Sequence, residues 1–184
     1  NLEMTFCERP APRFRHAETE NARKPTIRDD GTHVFPPQQR SEIMRRVTGR
    51  NTGPELLVRR FLYGQGFRFR LYDRRLPGCP DIVLRRYKTV IFVHGCFWHQ
   101  HSGCRKATIP QTRHDWWAAK LRGNVDRDRT MAKLLVEQGW RVLVVWECDT
   151  RNQERLAGAL EPLLTGKLPN PTHPYPGALN PERP

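Results

Sequence analysis

One stretch constrains this chain more than any other: Val90-Ile91-Phe92-Val93-His94-Gly95-Cys96-Phe97-Trp98-His99-Gln100-His101-Ser102-Gly103-Cys104. Its first part is a β-branched and aromatic run of the kind that makes a buried strand. From His94 onward the run gives way to three histidines, two cysteines and the adjacent aromatics Phe97 and Trp98. A buried strand needs a sheet covered on its faces. A strand that ends in metal-ligating and proton-transferring side chains sets chemistry at the edge of that sheet.

The rest of the chain supplies such a fold. Thr52-Gly53-Pro54-Glu55 has the spacing of a capping box with proline in the first turn, so a helix is expected from there, with Leu56, Leu57, Phe61 and Leu62 apolar and Gly64 or Gly66 ending it. Phe67–Leu71 alternates with period two and predicts a strand with one basic face. Asp81–Leu84 and Thr89–Val93, joined by Arg85-Arg86-Tyr87-Lys88, should pair as a hairpin at the centre of a mixed sheet. A long helix is expected from about Arg113 to Gln138, with Leu121, Val125, Ala132 and Leu135 on one face and Asp128 inside that stripe. Trp140–Trp146 predicts another strand, and Asn152–Leu164 a last helix. With a short basic helix near Ser41–Arg50, the order is α-α-β-β-β-α-β-α: one α/β domain, a small mixed sheet flanked by helices. That domain is expected over residues 36–168, between a polar flexible tail, 1–35, and a Pro-rich C-terminal tail, 169–184.

Charge points to the partner. The formal net charge is +13, and the six acidic residues before Pro36 balance six basic ones, so the whole excess lies in residues 36–184. A folded domain with that surplus has a positive face suited to a polyanion; the bland alternative is a solvated basic surface. No run approaches the roughly 18–20 apolar residues of a membrane span, and residues 1–37 lack the apolar core of a secretory signal, so a cytoplasmic protein is expected. The five cysteines, unevenly spread, argue against a disulfide framework and for metal binding in a reducing compartment.

Cys96, His101 and Cys104 crowd three zinc-type ligands into nine residues, and Cys148 follows the end of the last strand. A closed Cys3His set suits tetrahedral, structural Zn2+, and a metal would order a loop with little apolar content. The alternative is ordinary buried thiols and a surface histidine, with His99 as a competing fourth ligand.

Asp81 opens one strand of the hairpin and His94 closes the other. Many metal-dependent nucleases pair such an aspartate with an acidic-x-Lys triplet on the neighbouring strand; here that triplet reads Phe92-Val93-His94. Asp81 still offers a hard oxygen to Mg2+, and the Val93 carbonyl a second. His94 and His99 are candidates for general base and acid. Glu55 is either simply the acidic member of the capping box or the group that orients a histidine. Trp140, Trp146 and Phe92 read as core, whereas Phe97, Trp98 and one of Trp116-Trp117 are candidates for a wedge between base pairs, which opens a mismatched step at lower cost.

These residues resemble a known family, the very short patch repair (Vsr) DNA mismatch endonucleases, from about Ser41 to Leu164. The resemblance rests on Pro77-Gly78-Cys79-Pro80-Asp81, Val90–His99, Asn124-Val125-Asp126-Arg127-Asp128 and Gly139–Cys148. It implies a restriction-endonuclease-like (PD-(D/E)xK-type) fold carrying structural Zn2+, and Mg2+-dependent nicking of duplex DNA 5′ to the thymine of a T·G mismatch left by deaminated 5-methylcytosine. It implies that Asp81 and the Val93 carbonyl bind Mg2+, that His94, His99 and Glu55 act in catalysis, and that Cys96, His101, Cys104 and Cys148 bind Zn2+. Phe97, Trp98 and Trp117 would enter the DNA, and the helix bearing Arg40, Arg45, Arg46 and Arg50 would reach the opposite groove. A bacterial, nucleoid-associated monomer is implied, with the MutL mismatch-repair protein as a partner. Cys79 stands where the family has arginine, Ser102-Gly103 is one residue longer than the pattern, and the N-terminal tail has no counterpart, so the flanking sequence preference is left open. Two other readings remain: a zinc-stabilised mismatch-binding module without nuclease activity, and a restriction-type nuclease on matched or methylated sites.

Overall fold

The structure, a computed structural model, describes residues 49–167 continuously, together with Thr26, Ile27, His33, Val34, Gln39 and Glu42. The chain divides into two units, with the division that matters here between Thr52 and Gly53. In the N-terminal unit, β1 (Thr26–Ile27) and β2 (His33–Val34) pair antiparallel. Of the basic segment, Arg40, Arg45 and Arg46 lie outside the described residues, and Arg50 is exposed in a bend.

The larger unit carries the rest. Helix α1 (Gly53–Gly64) buries Glu55, Val58 and Leu62 along one face. Gly66, at φ +84°, turns the chain toward β3 (Arg70–Leu71). Strands β4 (Ile82–Leu84) and β5 (Thr89–His94) form the expected antiparallel hairpin, closed by a 3-10 turn at Arg85–Tyr87 with Lys88 left-handed. Helix α2 (His114–Glu137) carries the chain across to β6 (Arg141–Trp146), which lies parallel to β5 with His94 opposite Trp146. Helix α3 (Gln153–Leu164) follows; Asn152 caps it by accepting a 2.8 Å bond from the Arg155 amide.

The sheet order is β3-β4-β5-β6, mixed as the sequence predicts. Both faces are covered, which explains why the strands read as continuous apolar runs. One face, with Ile82, Leu84, Ile91, Leu143 and Val145, packs with Val58 and Leu62 of α1 and Leu156, Leu160 and Leu163 of α3. The other, with Val83, Val90 and Phe92, meets Leu135 of α2.

β3 is shorter than the alternation of Phe67–Leu71 predicts. Only Arg70 and Leu71 pair, opposite Val83 and Ile82. The reason lies in the flanks: Tyr72 takes φ +50°, and Pro80, just before β4, has no N–H to offer. The approach to β4 is tight as well. Gly78 sits at φ +71°, and a Cβ there would come within 2.9 Å of the Met131 Cβ on α2. Only glycine fits that crossing without strain, and three residues later the chain delivers Asp81.

Candidate active site and metal centre

Asp81 immediately precedes β4 and is 4% exposed. Its Oδ2 accepts a 2.8 Å hydrogen bond from the Val93 amide of β5. A carboxylate so deeply placed needs charge compensation. One backbone N–H gives part of it, and a hard cation is the natural complement; the donor chemistry therefore fits Mg2+.

His94 ends β5, 2% exposed, and its carbonyl accepts a 2.8 Å bond from the Glu147 amide just past β6. The chain then coils through residues 96–100, tied by the His99 amide to the Gly95 carbonyl at 3.1 Å. That turn lays the His99 ring on the His94 ring, with centroids 3.8 Å apart and planes within 9°. His99 Nδ1 lies 2.5 Å from Oδ2 of Asp128 on α2. A carboxylate on Nδ1 fixes the tautomer and leaves Nε2 to take a proton.

Asp128 is the residue that sequence reading did not assign to the site. Its signal was a carboxylate inside the apolar stripe of α2. Glu55, offered as a group to orient a histidine, is itself held in place: Arg59 Nη2 donates to it at 2.7 Å and the Tyr72 hydroxyl donates to the same oxygen. The carboxylate hydrogen-bonded to His99 is Asp128. His94, His99 and Asp128 thus form one compact cluster.

A second cluster lies beside it. The ligand atoms of Cys96, His101, Cys104 and Cys148 all fall within 4.8 Å of one another. His101 Nδ1 is 3.6 Å from Cys96 Sγ and 3.3 Å from Cys148 Sγ. Tetrahedral zinc, with bonds of about 2.3 Å to sulfur and about 2.0–2.1 Å to nitrogen, sets sulfur–nitrogen edges near 3.5 Å, so the donor set fits such an ion. The His101 amide reaches back to the Cys96 carbonyl at 3.0 Å, and the Cys104 amide to the His101 carbonyl at 3.1 Å. Ser102-Gly103 forms an exposed turn with Gly103 at φ +72°.

Burial pushes the Cys96 thiol up to about 12, raises that of Cys148, and lowers His101. Cys104 is shifted down, chiefly by the Lys106 amide. A bound cation would offset the cost of ionising the buried Cys96 and Cys148 thiols.

The loop aromatics gather on the outer side of this region. Phe97 lies edge-on to Trp98 at 5.0 Å and to Trp117 at 5.5 Å, with Trp98 and Trp117 6.1 Å apart. All three are partly exposed, and Asn124 Nδ2 donates to the Trp98 carbonyl at 3.1 Å, pinning the loop to α2. Trp116 stands 49% exposed beside them, with the Arg113 guanidinium over its ring at 5.0 Å.

A buried acid, an acid-oriented imidazole and a wall of aromatics at one end of a small mixed sheet, on a chain of net charge +13, define a hydrolase directed at a polyanion. Comparisons with known proteins make the class specific. Residues 32–106 match the family described as DNA mismatch endonuclease Vsr. The chain is 48% identical over 117 residues to DNA mismatch endonuclease Vsr of Escherichia coli, covering 64% of this chain and 74% of that one. It is 47% identical over 122 residues to the type II nicking enzyme V.NmeAIP of Neisseria meningitidis serogroup A, covering 66% and 86%, and 44% identical over 137 residues to the type II nicking enzyme V.XorIIP of Xanthomonas oryzae, covering 74% and 97%. The chain belongs to the Vsr family of DNA mismatch endonucleases. Among the described residues no helix is long and apolar enough to cross a membrane.

Proposed function

We propose that this protein is a Mg2+-dependent endonuclease that nicks duplex DNA on the 5′ side of the thymine in a T·G mismatch, the lesion left when 5-methylcytosine deaminates. The observation that carries the reading is the His94–His99–Asp128 array beside the buried Asp81, in a chain of this family.

Asp81 and the Val93 carbonyl would hold Mg2+, which would supply Lewis-acid polarisation of the phosphate and stabilisation of the leaving oxygen. His99 accepts a proton from the attacking water at Nε2 while Asp128 holds Nδ1. His94, stacked on His99, keeps that ring in plane and faces the phosphate. Glu55, on α1 and held by Arg59 and Tyr72, orients a histidine of the site. Cys96, His101, Cys104 and Cys148 bind structural Zn2+ and tie the loop to the end of β6. Phe97, Trp98 and Trp117 enter the base stack where a mismatch has weakened it, and the basic segment with Arg40, Arg45, Arg46 and Arg50 takes the opposite groove. The core is of the restriction-endonuclease-like kind, and the protein acts as a monomer on DNA in the bacterial cytoplasm, with MutL as a partner in repair.

The test is a nicking assay with Mg2+ on T·G, matched and methylated duplexes, for wild type and Asp81→Ala. Wild type should cut the T·G strand alone, and Asp81→Ala should cut none. Equal cleavage by the two removes Asp81 from the mechanism. Tight mismatch binding without cleavage in any divalent metal replaces the enzyme with a binding module, and cleavage of matched sites replaces it with a restriction-type nuclease.

A further inference from the structure

Between the two clusters stands a residue that neither accounts for. Trp146, the last residue of β6, is 8% exposed, and in sequence it reads as ordinary core. Its indole stacks face to face on the His101 ring, with centroids 4.2 Å apart and planes within 5°. Its other neighbour is the His94 ring, met edge-on at 5.5 Å and 71°. His94 in turn stacks on His99, which is held by Asp128. Four rings therefore run without a break from a ligand of the cysteine-rich cluster to the proposed base.

The backbone holds this row in register. His94 and Trp146 are partners in the parallel β5–β6 pairing, and the Trp146 amide donates to Asp149 Oδ2 at 3.0 Å. The chain cannot slide at the point where the rings meet. A close-packed row transmits a displacement at one end to the other, because interior side chains have no slack to absorb it.

We propose that Trp146 is a positioning residue that couples the geometry of the Cys96–His101–Cys104–Cys148 metal cluster to the orientation of His94 and, through it, of His99. The cluster is then more than a loop staple: the ion it holds sets the angle of the imidazoles at the reacting phosphate. This inference rests on the nicking function for its catalytic consequence but not for its structural one. A misplacement of about 1 Å in such a group is enough to cost on the order of 100-fold in rate.

The experiment follows the imidazole resonances of the full chain labelled at histidine, loaded with Zn2+ and then exchanged to the larger Cd2+, which keeps the cluster filled. In wild type, His94 and His99 should shift together with His101. In Trp146→Leu the His101 shift should remain while the other two stay put, and Trp146→Phe, which retains a flat ring, should restore at least part of the coupling. In single-turnover nicking, Trp146→Leu should lower the rate about tenfold or more with DNA affinity within about threefold, and the phenylalanine variant should recover most of it. His94 resonances in wild type that ignore the exchange overturn the proposal, as does failure of either ion to bind. Equal loss in the leucine and phenylalanine variants, or a loss confined to DNA affinity, overturns it too. Should the leucine variant not fold, the wild-type exchange and the phenylalanine variant still decide. A wild type that couples the histidines but does not nick leaves the coupling standing and removes the proposed function.

Discussion

At the level of single residues, what matters is which acid meets which base. The bond from His99 Nδ1 to Asp128 gives a specific expectation. Asp128→Asn keeps the shape and replaces the carboxylate that meets Nδ1 with a neutral amide. Nicking by that variant should fall by about 100-fold or more with mismatch binding unchanged; a rate within a few-fold of wild type would show that the bond is only structural. Asp73 offers a second test. Hydrogen bonds from the Arg75 side chain, and then from Arg85, hold its carboxyl well below the usual carboxylate range against the opposing effect of burial. A carboxyl depressed in the folded state stabilises the protein above its unfolded value of about 3.9 and loses that contribution as pH falls through the folded value. Unfolding of wild type and Asp73→Asn should therefore differ at neutral pH and converge as the pH is taken well below 4. A difference that persists unchanged into strong acid would assign the effect to packing.

Residue-level legibility follows from distance along the chain. Cys96, His101 and Cys104 can be paired by eye because they fall within nine residues. Cys148 taken alone reads as an ordinary buried thiol, and it is the fold that brings its sulfur within 4.8 Å of the other three ligand atoms. Asp128 could not be read in this way. Its partner is 29 residues away, and whether a carboxylate in an apolar stripe meets an imidazole depends on the rotation of α2 about its axis. Glu55 was legible as a helix-start acid, and its bonds to Arg59 and Tyr72 depend on a left-handed residue at position 72 that no pattern announces.

At the level of elements, the strong periodicities predicted the hairpin, α2, β6 and α3 to within a residue or so at each end. They mispredicted the length of β3 because alternation reports which faces are buried, whereas pairing also needs a partner strand long enough to answer. β4 is three residues long, so β3 can be little longer. The loop from Gly95 to Arg113 has no regular secondary structure to hold it, and its aromatics Phe97 and Trp98 are only partly buried. Its order should depend on the cysteine-rich cluster. Stripping metal with a chelator, or replacing Cys148 with serine, should lower the unfolding temperature by several degrees or more and release one equivalent of Zn2+ per chain. An unchanged unfolding temperature with full metal release would make the loop self-supporting.

At the level of the whole molecule, the charge surplus is the governing quantity. Binding to duplex DNA should weaken steeply with salt, log affinity falling linearly with log salt at a slope near −0.9 for each phosphate neutralised. Because that contribution is independent of sequence, matched and mismatched duplexes should share nearly the same slope and differ in intercept. A slope near zero would assign the surplus to solubility alone. This partner class was readable from composition, since net charge survives any arrangement of the chain. Where that charge gathers is not readable in the same way, because charges spread along the sequence converge only after folding.

The parallel pairing of β5 with β6 carries one more consequence, in time. Cys96, His101 and Cys104 leave the ribosome together, while Cys148 must wait for the loop, the whole of α2 and β6 to be made. At about 5–20 residues per second that interval is a matter of seconds. Cys148 arrives only when the segment that completes the sheet has been made. Bringing the four side chains together is thus a late event in the life of the nascent chain, open only after the segment that forms β6 has been made.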